Sequence, residues 1–106
     1  TPEEIAAAVV AALDALAHPL MQSAHKHGAH REMPVTMRLD DGTFAEGIVD
    51  LAFREARPSG ATWVVVDFKT DRLPEAANKY RAQVDLYRRA IEQATGEATE
   101  GVILWV

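Results

Sequence analysis

Three charged residues sit inside otherwise apolar stretches: Asp50 in Gly47-Ile48-Val49-Asp50-Leu51, and Asp67 and Lys69 in Val65-Val66-Asp67-Phe68-Lys69-Thr70. If the two stretches are neighbouring strands, the aspartates can face one another, and like charges directly opposed across a sheet destabilise it. A cation between them removes that penalty. Two carboxylates and a backbone carbonyl suit Mg²⁺, which keeps several of its waters. Such an ion polarises a phosphoryl oxygen and lowers the pKa of an attacking water. Lys69, two residues after Asp67 and on the same strand face, could orient that water or offset charge on a pentavalent phosphate. The plainer reading is a surface ion pair between Asp50 and Lys69, since Asp-x-Lys is a common tripeptide. It leaves unexplained why both aspartates lie within apolar strands.

The rest of the chain must supply the frame. Thr1, Pro2 and Glu4 form a helix start with a capping box, and this helix is expected to reach about Ala17, before Pro19 interrupts it. A second helical piece runs from Pro19 to about His27 and stops at Gly28. Met33, Val35, Met37 and Leu39 alternate with Pro34, Thr36 and Arg38, the period of a strand. Asp40-Asp41-Gly42 marks a turn, and Phe44 to Phe53 is the return strand. Arg54 to Ala61, with Pro58 and Gly60, reads as a second turn, and Trp63 to Lys69 as a third strand. After Pro74, Tyr80, Val84, Tyr87, Ile91 and Ala94 repeat at helical spacing, and Gly96 closes that helix. Gly101 to Val106 is a last apolar strand. The order is helix, three antiparallel strands, helix, strand, an α/β arrangement.

Register follows from the side-chain alternation, because a slip of one residue turns every side chain over. A turn centred between Pro58 and Ser59 sets Val49 against Phe68, Leu51 against Val66 and Phe53 against Val64. It also sets Asp50 against Asp67. For the first hairpin, a three-residue Asp40-Asp41-Gly42 loop with Gly42 left-handed pairs Met37 with Ala45, Val35 with Gly47 and Met33 with Val49. This register keeps the apolar residues together better than a two-residue loop does, and it brings Glu32 opposite Asp50. The expected sheet has one apolar side and one side carrying Glu32, Asp50, Asp67 and Lys69.

Composition bounds the answer without choosing it. At 106 residues the chain fits a single domain spanning 1–106. The longest apolar run, Ile5 to Leu13, is far short of a membrane span. The absence of cysteine excludes disulfides and thiolate metal sites, which fits a reducing cytoplasm. A net charge of −5 argues against a sequence-independent coat on DNA, yet is compatible with an enzyme that gathers carboxylates around a cation.

Taken together, the segments around Asp50 and Asp67-Phe68-Lys69, followed by Tyr80-x-x-Gln83-x-x-x-Tyr87, resemble the PD-(D/E)XK nuclease superfamily. More narrowly they resemble the C-terminal nuclease domains of RecB- and AddA-type helicase–nucleases. The resemblance covers most of the chain and implies a restriction-endonuclease-like αβββαβ core, a central mixed sheet flanked by helices. It implies that Asp50 and Asp67 hold Mg²⁺ or Mn²⁺, with the Phe68 carbonyl as a further ligand, and that Lys69 assists catalysis. Gln83 and Tyr87 become supporting groups, and Glu32, in His30-Arg31-Glu32-Met33-Pro34, a looser match to a glutamate of the family. The implied activity is metal-dependent DNA exonuclease action in end processing and double-strand-break repair. The implied partners are DNA, helicase motor domains in the same parent chain and a second helicase–nuclease subunit, in the cytoplasm and away from membranes. One feature departs from the pattern. RecB-like domains carry a metal-binding histidine on an upstream helix, and neither His18, His25, His27 nor His30 aligns with it. The chain is therefore expected to be a piece of a larger helicase–nuclease, and a non-catalytic nuclease-fold module for DNA binding or scaffolding is the alternative.

Other features have plainer expectations. His25, His27 and His30 lack helical metal-site spacing and read as a solvated helix end. The stripe from Tyr80 to Ile91 is core packing, with Gln83 as its one polar member. Arg81, Arg88 and Arg89 lie among Asp85 and Glu92, a solvated face. Trp63 is expected to pack under a helix, and Asp71-Arg72 to lie in an exposed loop.

Overall fold

The computed structural model describes residues 1–3, 19–70 and 73–105. The first expected helix, Thr1 to about Ala17, falls almost wholly on residues outside that set, as do Asp71-Arg72 and Val106. The described elements are helix α1 (Pro19–His27), strands β1 (His30–Arg38), β2 (Phe44–Arg57) and β3 (Gly60–Lys69), a 3₁₀ turn (Pro74–Ala76), helix α2 (Ala77–Thr95) and strand β4 (Ala98–Trp105). They form a four-stranded mixed sheet in the order β1-β2-β3-β4. β1 to β3 are antiparallel neighbours, and β4 joins β3 in parallel. A parallel neighbour requires a crossover, and α2 provides it. This is an α/β fold of the restriction-endonuclease-like type. Among the described residues, no helix is long and apolar enough to cross a membrane.

Both hairpins take the register that alternation predicts. β1 pairs with β2 through Met33–Val49, Val35–Gly47 and Met37–Ala45, with Gly42 at φ 85° in the loop. β2 pairs with β3 through Leu51–Val66 and Phe53–Val64. The second turn is shorter than the polar stretch Arg54 to Ala61 suggested, because pairing runs out to Arg57–Gly60 and leaves Pro58-Ser59 alone at the tip. The extra pairs are tied down by charge. Arg54 grips Glu97 through three hydrogen bonds of 2.8–3.1 Å, and Arg57 bonds Glu100 and Glu55.

The division into one apolar and one charged face does not hold. Leu51, Phe53, Val64 and Val66 pack with Ala24 of α1 and with Leu104. Val49, expected beside Leu51, instead joins Ala52, Val65, Tyr87 and Ile91 on the α2 side, with Met33 and Val35. The alternation therefore slips between Val49 and Ala52. The partner strand slips at the same level: Glu32 has φ 48°, and Glu32–Asp50 is missing from an otherwise continuous ladder. A glutamate in the left-handed region is uncommon and turns the strand over locally. Below the slip the first hairpin faces α2, and above it the sheet carries a core on each face.

α2 can lie close to the sheet because two glycines face it. A Cβ on Gly47 would come within 2.5 Å of the Tyr87 ring, and one on Gly101 within 2.5 Å of Val84 Cγ1. Val84, Tyr87, Ala90 and Ile91 are buried along that seat. Gly96, at φ 72°, ends the helix by donating its N–H to the Glu92 carbonyl at 2.8 Å, as a left-handed cap should. Ala94, counted in the apolar stripe, is exposed, and Ala90 takes the buried place.

Candidate active site

The site forms where β2 stops pairing with β3. The ladder ends at Leu51–Val66, so Val49–Phe68 and Asp50–Asp67 are not backbone pairs. One residue beyond, the Phe68 N–H donates to Asp50 Oδ2 at 2.9 Å. The strand slip thus converts Asp50 from a ladder residue into a side-chain acceptor for the neighbouring strand. Half-buried Asp50 is brought to the residue that separates Asp67 from Lys69.

Asp67 is 4% exposed, and its Oδ2 is buried without a hydrogen bond. Lys69 Nζ lies 3.0 Å from that oxygen as an ion pair. Burial pushes the Asp67 carboxyl above the ordinary carboxylate range, and the adjoining Asp50 carboxyl pushes the same way, close enough to share a hydrogen bond; Lys69 offsets part of this. A buried carboxylate oxygen that has charge beside it but no donor is a costly arrangement.

Lys69 is held on three sides. Besides Asp67, it donates to Gln83 Oε1 at 3.1 Å and lies 4.7 Å from the centre of the Tyr80 ring. Gln83 in turn donates through Nε2 to the Tyr87 hydroxyl at 3.2 Å. Burial alone would lower the Lys69 pKa, but Asp67, Asp50 and Tyr80 outweigh it and the ammonium is stabilised. Tyr80, Gln83 and Tyr87 reach the site together because positions three and four apart share a helix face.

The structure therefore brings together Asp50, Asp67, Lys69, Gln83 and Tyr87, with Phe68 bound through its backbone. Glu32 stands apart: it is exposed, and among the described residues no three His, Cys, Asp or Glu side chains gather as a metal-holding group. Sequence reasoning treated Tyr80 only as core, though its place three residues before Gln83 was signal enough to put it beside Lys69. Trp63 packs on the α2 side as expected, its indole donating to Glu97 at 3.2 Å and its ring 5.9 Å from His30.

The donor set is one that a hard cation accepts. Two adjoining carboxylates, one with a buried and undonated oxygen, lack only positive charge beyond what a single ammonium brings. Such oxygen ligands suit Mg²⁺ or Mn²⁺, so the residues present fit the ion.

An αβββαβ-type mixed sheet with paired carboxylates and a lysine at the end of its central strands defines a class of phosphodiester-cutting folds. The chain belongs to the PD-(D/E)XK nuclease superfamily, whose family model matches residues 2–105. A stretch of 58 residues, 50% of this chain, is 41% identical to an ATP-dependent helicase/nuclease subunit from Desulforudis audaxviator (strain MP104C). The chain spans only 4% of that relative's length.

Proposed function

We propose that this chain is the metal-dependent DNA exonuclease domain of a RecB/AddA-like helicase–nuclease. In that setting it hydrolyses phosphodiesters while DNA ends are processed for double-strand-break repair. The observation that carries the reading is the buried, undonated Oδ2 of Asp67, set beside Asp50 and the Lys69 ammonium. Asp50 and Asp67 hold Mg²⁺ or Mn²⁺, joined by the Phe68 carbonyl. Glu32, one residue from the same strand slip, is a further candidate ligand. The bound ion supplies Lewis acidity and a more acidic water.

The chain's own groups do the rest. Lys69 presents positive charge where a phosphate gains negative charge in the transition state. Gln83 fixes the direction of that ammonium, and Tyr87 fixes Gln83. Asp50 is oriented by the Phe68 N–H before any ion arrives, so little rearrangement accompanies binding. The motor domains of the parent chain and a second helicase–nuclease chain would deliver DNA to this site, in the cytoplasm. The partial likeness to a helicase/nuclease protein supports that setting.

The test is calorimetric titration of Mn²⁺ into the wild type and Asp67→Ala, alongside cleavage of end-labelled linear DNA. Binding and cleavage in the wild type, both lost in Asp67→Ala, are expected. Wild type that binds no ion and cuts no DNA sinks the reading and leaves a non-catalytic nuclease-fold module.

A further inference from the structure

Lys69 ends in a compact ammonium on a flexible four-carbon stem, so its usefulness depends on what confines it. Two oxygens do part of the work, Asp67 Oδ2 at 3.0 Å and Gln83 Oε1 at 3.1 Å. Two contacts leave the ammonium free to swing about the line between them. The third side is closed by the ring of Tyr80, 4.7 Å from Nζ to the ring centre. That ring is itself seated against Trp105, with ring centres 6.1 Å apart and planes at 55°. Trp105 is the register partner of Lys69 on β4, so the lysine and the brace for its aromatic wall leave the sheet side by side.

We propose that Tyr80 is a positioning residue for Lys69, its ring face confining the ammonium between Asp67 and Gln83 while Trp105 braces the ring. The inference rests on the proposed role of Lys69. An aromatic face suits the task better than a third oxygen would. The ring quadrupole attracts the cation without fixing any one N–H, and the ammonium has three. Two are spent on Asp67 and Gln83, and the third stays available for a phosphate oxygen. The device belongs to α2 and β4, outside the Asp50–Asp67–Lys69 set.

Two readouts test this, one of them independent of catalysis. In proton–carbon spectra of lysine-labelled protein, the Lys69 ε-methylene is expected upfield of those of Lys26 and Lys79, because it lies over a ring. Tyr80→Phe should keep that shift and most of the kcat for Mn²⁺-dependent DNA cleavage. Tyr80→Leu should lose the shift and lower kcat roughly tenfold, with KM and Mn²⁺ binding held. An unshifted Lys69 in the wild type overturns the proposal. So does Tyr80→Leu that leaves shift and kcat intact, or Tyr80→Phe that loses as much as Tyr80→Leu. Should Tyr80→Leu fail to fold, Trp105→Leu decides: it unseats the ring without removing it, and an unchanged Lys69 shift overturns the brace. Wild type that does not cut DNA sinks the nuclease reading alone, and the Lys69 shift still decides whether Tyr80 positions it.

Discussion

Asp50 and Phe68 are joined by a bond from main chain to side chain, the Phe68 N–H donating to Asp50 Oδ2 at 2.9 Å just past the last backbone pair of β2 and β3. The aspartate is thereby oriented by the residue that sits between Asp67 and Lys69. Asp50→Asn keeps an acceptor for that N–H and removes one of two adjoining like charges. The metal-free variant is expected to be at least as stable as wild type in urea, while Mn²⁺ binding is abolished. Asp50→Ala should lose both ion and stability, since it leaves the N–H without its acceptor.

Asp67 gives the pH dependence its sign. Its carboxyl is raised by burial and by Asp50, so the folded state holds that proton more tightly than the unfolded state does. The cost of its charge is complete above the raised value and fades as pH falls through it towards the ordinary carboxylate range. Asp67→Asn mimics the protonated form. In chelator it should be more stable than wild type at neutral pH, with the gap closing as pH is lowered through that window. Denaturant titrations at a series of pH values read the gap directly; a gap that widens on acidification contradicts the assignment.

Metal should stabilise the fold by mass action. At a Mn²⁺ concentration about a hundred times Kd, wild type should gain about 2.7 kcal/mol, seen as a rise in thermal midpoint. Asp67→Ala should show no rise.

The Gln83 link should matter more for catalysis than for folding. Tyr87→Phe removes one neutral hydrogen bond, expected to cost about 1 kcal/mol of stability. Gln83→Ala removes the acceptor of the Lys69 ammonium, a bond to a charged group worth about 1.5–3 kcal/mol, and kcat should fall roughly tenfold or more. Equal kcat in the two variants would disconnect Gln83 from Lys69.

The seat of α2 should be intolerant of a single methyl group. Gly47→Ala places its Cβ 2.5 Å from Tyr87 Cε1, and a displaced ring cannot hold both Gln83 and the core. A loss of about 1–3 kcal/mol is expected from overpacking, with a changed near-ultraviolet dichroism as Tyr87 moves.

Much of this was legible in the chain. The hairpin registers followed from alternation and turn residues, and the association of Asp50, Asp67, Lys69 and Gln83 followed from register and helical spacing. Two features were not. The slip at Glu32 and Asp50 depends on a non-glycine residue at φ 48°, which no local preference announces, and it reassigned Val49 from one core to the other. The end of β2 looked like loop because Arg54, Glu55 and Arg57 are charged. Its pairing is held by Glu97 and Glu100, some forty residues away, and such partners are visible only once the chain has folded.

The slip has a last consequence, for the order in which the protein becomes competent. It is a seam: Met33, Val35 and Val49 on one side depend on α2 for cover, while Leu51 and Phe53 on the other depend on α1 and β4. The paired aspartates lie on the seam itself, so neither half can assemble the site alone. A partly folded chain has its aspartates apart and no place for an ion. Competence to cut is thus a certificate of completed folding, and a nascent or damaged copy is inert by construction.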